Sequence, residues 1–263
     1  MSKNSLSLIA VAGVVGALMV GAAPASAATS QACKNVPDWA TLKAALQAAN
    51  DAVVLTLNHD MWATIVSSDG TVCAIAFSGS SAGRQWRLSR IISAQKANTA
   101  NGLSLSEGAG GDIPGLALST ANLWAPTQPG GSLWELPHSN PVDATVAYAG
   151  NSKNFGKAND PLVGKRIGGV NVFGGGLGLY NASGHSIGGV GVSGDTSCRD
   201  HMVAWELRHN LGLDYVPAGV SGDPQRPDNI IFDTANAFGH PTCLAPDAEK
   251  AAAAALTPVS TAP

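Results

Sequence analysis

Charge is scarce in this chain. Lys, Arg, Asp and Glu together make up 13% of 263 residues, with a formal net charge of −3; globular domains ordinarily carry about twice that fraction. Without a basic excess there is no electrostatic footprint for nucleic acid. Cysteine is sparse as well. Cys33, Cys73, Cys198 and Cys243 are widely spaced with no C-x-x-C, which excludes a zinc knuckle and a redox dithiol. No Ser/His/Asp order, H-E-x-x-H or paired-carboxylate pattern stands out, so classical hydrolase chemistry has no support. Beyond the N-terminal region no apolar run is long enough to span a membrane.

Glycine, by contrast, is plentiful, and it concentrates between Gly164 and Asp195. Two apolar runs there, Gly169–Val172 and Ile187–Val192, flank the turn cluster Asn181-Ala182-Ser183-Gly184. They predict a hairpin, followed by a Gly-Asp-Thr-Ser helix start. Glycine at every second or third position withholds side chains where backbone or a flat ligand must come close. Gly189 to Gly194 formally satisfies G-x-G-x-x-G. A dinucleotide site needs that turn inside a βαβ unit, whereas here it follows the return arm of a hairpin and no second βα unit comes after it. The nucleotide reading fails. Asn181-Ala-Ser183 is formally a glycosylation sequon, but it reads as the hairpin turn.

The N-terminus has a short basic start, an apolar stretch Leu6–Ala23 and an A-x-A site before Ala28. This pattern predicts a secretory signal peptide over residues 1–27, and with it a periplasmic or secreted protein with no membrane attachment after cleavage. In an oxidising compartment the four cysteines read as two structural disulfides. Three pairings are open; Cys33–Cys73 and Cys198–Cys243 are favoured, tying the N-terminal segment to a strand and the tail to the last helix. Residues 28–245 form the expected domain, and 246–263 an expected disordered tail, in which Glu249–Pro263 reads as a frayed helix followed by disorder.

Apolar spacing predicts helices over Asp38–Leu57 and Gln85–Ala100. Between them, Met61–Val66 and Thr71–Phe77 flank Asp69-Gly70 as a β-hairpin. Ser119-Thr120 caps an expected short helix, residues 133–164 read as an irregular insert, and the last helix is Ser197–Leu211, ended by Gly212 and opened by a Ser197/Asp200 capping box. Strands arriving as hairpins predict an antiparallel sheet with helices over its faces, an α+β fold.

Two motifs carry a resemblance. Lys96-Ala97-Asn98-Thr99-Ala100 resembles the K-A-x-T-A signature of the HbpS/GlcG family of heme-binding proteins, which is related to the PduO C-terminal domain. The hairpin and its exit, Gly168–Val172, Gly188–Gly194 and Asp200, are similar to that family's G-G-V-P-I … I-G-A-I-G-V-S-G-G-x-x-x-Q-D. The chain departs from it where Asn171 stands for proline, Asp195 for the second glycine of S-G-G, and Arg199 for glutamine. The resemblance implies a profilin-like domain, homo-oligomers and heme or a similar planar ligand, with Lys96 and Thr99 as signature residues near the glycines.

The expected cofactor-binding set is Lys96, Thr99, Gly175, Gly189, His201 and Met202, with His201 as the candidate iron ligand. Heme iron accepts imidazole or thioether, and Trp205 stands beside His201 at i+4. The simpler reading makes His201 an ordinary histidine beside a core Trp. Likewise Thr99 could back-bond within its helix while Lys96 pairs with Asp200. Arg84, Arg87 and Arg90 could meet propionates or form a solvated face. His59, His138, His185 and His240 show no metal-ligand spacing, and no C-x-x-C-H exists for covalent heme. The expected function is an exported, non-covalent heme-binding protein. The alternatives are a heme-degrading or small-molecule enzyme on the same fold and a ligand-free structural oligomer.

Overall fold

The computed structural model describes residues 31–109 and 114–261, so the expected signal peptide lies outside the described residues. Helix α1 (Trp39–Ala52) is capped by Asp38, whose side chain accepts the Thr41 N–H. It stops short of the expected Leu57, and the chain then turns through left-handed backbone at Thr56 and Asn58, φ 54° and 53°. Strands β1 (Trp62–Ser67) and β2 (Val72–Phe77) form the expected hairpin, with Trp62 opposite Phe77. Helix α2 begins later than expected, at Ser89–Gly102, which leaves Arg84 and Arg87 outside it. The short helix expected after Ser119 is a series of turns closing in a 3-10 turn, Ala125–Thr127.

The expected insert contains only the single turns α3 (Leu136–Ser139) and α4 (Ala144–Ala147) and a 3-10 turn. Strands β3 (Gly176–Tyr180) and β4 (Ser186–Ser193) then flank the expected turn, where Gly184 takes φ 68°. The first arm is not at Gly169–Val172. That segment is drawn onto α2 instead: Asn98 Nδ2 donates to the Gly169 carbonyl at 2.8 Å, and Asn171 N–H donates to Thr99 Oγ1 at 2.9 Å. Helix α5 (Ser197–Asn210) is capped by Thr196 rather than Ser197, and Asp200 turns back to the Gly194 and Asp195 N–H groups. Helix α6 (Pro246–Ala255) ends the chain's regular structure.

The strands lie in the order β2-β1-β4-β3, antiparallel throughout. Helices α1 and α5 cover one face and α2 the other, giving the α+β layering that the hairpins predict. Strand β4 alternates valine and glycine, and the two faces use the alternation differently. Val190 and Val192 join the main core with Leu42, Leu46 and Trp205. Gly189 and Gly191 face α2, where an added Cβ would come within 2.3 Å of the Ala97 carbonyl oxygen and 2.0 Å of that of Ser93. At Gly176 it would come within 2.5 Å of the Lys96 carbonyl oxygen. The bare face exists for a helix backbone, not for a flat ligand.

The C-terminal segment, expected as a frayed helix followed by disorder over 246–263, forms helix α6 and packs against the main core. Ile230, Ala253 and Leu256 belong to the main core, and Trp205 Nε1 donates to the Thr257 carbonyl at 2.8 Å. Alanine is a small core residue as well as a helix former, and the composition could not show which role it plays here. Disulfides join Cys33 to Cys73 and Cys198 to Cys243, across separations of 40 and 45 residues. In the chain-entropy account each contributes about 4 kcal/mol.

The bare face yields a paired test. Gly191→Ala should destabilise by about 3 kcal/mol or more, beyond ordinary overpacking, because the obstacle is backbone. Gly102→Ala, where an added Cβ meets nothing within 4 Å, should be neutral or stabilise by up to ~1 kcal/mol. Urea midpoints measure both, and equal midpoints for the two variants would refute the packing role of Gly191.

Candidate functional site

The residues nominated by the sequence are dispersed through the interior. Lys96 is fully buried; its Nζ donates to Asp200 Oδ2 at 2.8 Å and to the Val192 carbonyl at 3.0 Å. Asp200 Oδ1 accepts from Gly194 N at 3.0 Å and Asp195 N at 2.9 Å. Burial pushes the Asp200 carboxyl up to about 6 and lowers the Lys96 ammonium from its ordinary value, in both cases against the attraction of the partner. Thr99 Oγ1 donates to the Gln95 carbonyl at 2.8 Å. Lys96 and Thr99 therefore perform the fold-maintaining roles.

The two glycines and α5 complete that picture. A Cβ on Gly175 would come within 2.4 Å of the Val192 carbonyl oxygen, and Gly189 is covered by α2. His201 is a core side chain: fully buried, with Nε2 accepting the Ile230 N–H at 3.1 Å. Desolvation lowers its pKa to about 3. This corrects the expectation of an iron ligand, because the segment around Ile230 covers the ring and occupies its one acceptor. Met202 is likewise buried, at the floor of a separate depression of about 230 Å³ between Val53, Glu206 and Leu256. Of the six, only Met202 lines any of the cavities found among the described residues.

The largest cavity described opens elsewhere. It measures about 590 Å³ and is lined by Trp62, Phe77, Arg87, Ile91, Tyr148 and Phe155, among others. Trp62 and Phe77 stack with centroids 4.8 Å apart. The far wall comes from the insert, which Arg90 fastens to α2. The Arg90 guanidinium makes a paired contact with Asp160, donates to the Ala147 carbonyl at 3.2 Å, and lies 3.6 Å from the centre of the Phe155 ring. The arginine row is thus divided. Arg90 is structural, exposed Arg84 lies 3.6 Å from Asp60, and Arg87 stands exposed at the cavity with no partner among the described residues.

Part of this cleft had a signal in the sequence. The Asp69-Gly70 turn signals a hairpin with aromatic residues at the open end of both strands; a register shift between Ile65 and Val66 then sets Trp62 directly opposite Phe77. Tyr148 and Phe155 had none, because the insert has no periodicity to assign a face.

Two buried imidazoles give the protein a defined acid response. Burial holds His201 at about 3 and His240 at about 4, against an ordinary 6.5. The unfolded chain therefore takes up these protons first, and their contribution to stability is lost as pH falls from about 6.5. Asp200 opposes this between about 6 and 3.8, since its folded carboxyl protonates before the unfolded one. Two imidazoles outweigh one carboxyl, so the urea midpoint should fall from pH 7.5 to 4.5. In NMR at pH 5, His201 and His240 should remain neutral. A midpoint that rises on acidification would contradict this balance.

Comparison with curated proteins found no match. The solved structures that resemble part of the chain include these two. One, described as a PduOC:heme complex, is 20% identical with TM-score 0.43, covering 66% of this chain and 91% of that one. The other, Klebsiella pneumoniae protein ORFY, is 20% identical with TM-score 0.42, covering 66% of this chain and 90% of that one. The family model described as "haem degrading protein HbpS-like" matches residues 38–207, from the cap of α1 to the third turn of α5. That span exceeds half of the 263 residues and takes in all four strands, and the chain belongs to the HbpS-like family.

Proposed function

We propose that this protein binds heme non-covalently in the aromatic cleft, as an exported protein that sequesters, transfers or senses it. The observation that carries the reading is the cleft itself. Its volume of about 590 Å³ falls within the ~300–1,000 Å³ of small-molecule sites. Its aromatic walls suit a planar macrocycle. Arg87, exposed at the cleft and without a partner among the described residues, suits a propionate. The residues therefore fit the group: Trp62, Phe77 and Phe155 would pack the ring, Tyr148 would cover it and Arg87 would hold a carboxylate. Bound heme would supply a redox-active iron.

Family membership supports heme as the ligand, and the family's description also names degradation, which makes turnover in the same cleft the second reading. Two disulfides suit an oxidising compartment, and no helix of the described residues is long and apolar enough to cross a membrane. Assembly into homo-oligomers belongs to the same proposal.

Titration of the purified protein with hemin should produce a saturable Soret band. Arg87→Ala and Tyr148→Ala touch exposed side chains. Each should weaken hemin affinity several-fold while leaving the urea midpoint unchanged. Loss of the band with a reductant and oxygen, accompanied by free iron, would favour turnover. No band at all, or two variants with wild-type affinity, would refute the cleft as a heme site.

A further inference from the structure

A second cavity, of about 310 Å³, adjoins the aromatic cleft; Gly83 and Gln85 line both. Its other walls are Leu57, Asn58, His59, Arg84 and Trp86. We propose that His59, in the wall of this adjoining cavity, would ligate heme iron through Nε2, an inference that rests on the heme reading above.

The imidazole is fixed in the form a metal requires. His59 Nδ1 lies 3.0 Å from the Gly194 carbonyl oxygen. A carbonyl only accepts, so Nδ1 carries the proton and Nε2 of the neutral ring is left with the lone pair. Nε2 has no partner among the described residues. A ring nitrogen pinned by a backbone carbonyl is the usual support of a ligating histidine, because it sets both tautomer and orientation.

The backbone of His59 is fixed as firmly as its ring. Its N–H donates to Asp195 Oδ2 at 3.0 Å, and its carbonyl accepts from Arg199 Nη1 at 2.8 Å. Asp195 and Arg199 are a buried ion pair, and Arg199 also donates to the Val53 carbonyl at 2.9 Å and to Asn58 Oδ1 at 2.9 Å. Thr56 and Asn58, the left-handed residues that deliver His59, are both tied to this pair. Two non-glycine residues at positive φ within three positions cost stability, and surrounding bonds must enforce them. Asp195 and Arg199 are also two of the positions at which this chain departs from the family motif it resembles.

The surroundings favour a porphyrin iron over a bare ion. Trp86 is 55% exposed, and its ring meets the His59 ring edge-on at 5.6 Å, leaving an aromatic surface beside the nitrogen. No group of three ligating side chains includes His59 among the described residues. A free divalent ion would find one protein ligand where it needs three or four. Heme iron arrives with four ring nitrogens and needs only one or two more.

The test compares hemin complexes of the wild type, His59→Ala and Arg87→Ala. His59→Ala should shift the Soret maximum by several nanometres and weaken binding roughly tenfold or more; millimolar imidazole should restore the wild-type spectrum. Arg87→Ala should weaken binding without moving the maximum. A His59→Ala protein that folds and keeps the wild-type Soret position would overturn the assignment while leaving the heme reading intact. A wild type with no Soret band would overturn both. Should His59→Ala fail to fold, carbethoxylation of the wild type decides: hemin should protect His59 from diethyl pyrocarbonate, as read by peptide mass, and an unchanged modification rate would overturn the proposal.

Discussion

The backbone of α2 lies directly on the backbone of β3 and β4, and most of the molecule is positioned by that contact. Only glycine at 176, 189 and 191 leaves room for the carbonyl oxygens of Lys96, Ala97 and Ser93. Once α2 is seated at that depth, Lys96 passes through the layer to Asp200, and Asp200 gathers the N–H groups of Gly194 and Asp195. Asp195 then reaches the loop that carries His59. At the other end of the same helix, Arg90 draws the insert over the sheet edge and gives the cleft its second wall. Both cavities on this side of the molecule are therefore consequences of a strand that lacks side chains on one face.

The scarcity of charge becomes informative in this setting. Four ion pairs, Arg90–Asp160, Lys96–Asp200, Arg199–Asp195 and Arg208–Asp228, are all buried. Such pairs add little net stability over apolar replacements, yet removing one partner leaves an expensive uncompensated charge. Their value is positional. Three of them join segments that no hydrophobic periodicity would bring together: the insert to α2, α2 to α5, and α5 to the C-terminal segment. The fourth, Arg199–Asp195, is local to the start of α5, and its members reach the His59 loop by hydrogen bonds. Glu249 does the same for the tail, accepting the N–H groups of Cys243, Leu244 and Ala245.

Local chemistry in the sequence was legible and long-range coverage was not. The Asp69-Gly70 and Asn181–Gly184 turns, the α+β layering and the helix stop at Gly212 follow from residues close together in the chain. The Lys96–Asp200 pairing was also within reach. The first arm of the second hairpin was misplaced because Gly169–Val172 has strand-like composition, while side chains of α2 claim its backbone. His201 looked like a ligand because nothing in α5 shows that Ile230 will cover it. His59 looked ordinary for the opposite reason. Its partners, Gly194, Asp195 and Arg199, lie well over a hundred residues away, and spacing rules see only neighbours.

The C-terminal segment sets an order of assembly. Trp205 and its neighbours on α5 are closed over by Ile230, Ala253 and Leu256, with the last fastening at Thr257. Ile230, Ala253, Leu256 and Thr257 lie beyond the family-matched region and are synthesised after α5. Until they emerge, α5 presents an open apolar face and Cys198 lacks its partner. The core therefore cannot be completed while residues 230–257 remain within the ribosome. The second disulfide likewise closes only after the segment that carries Cys243 has been made, and it locks that segment to a core completed from both sides.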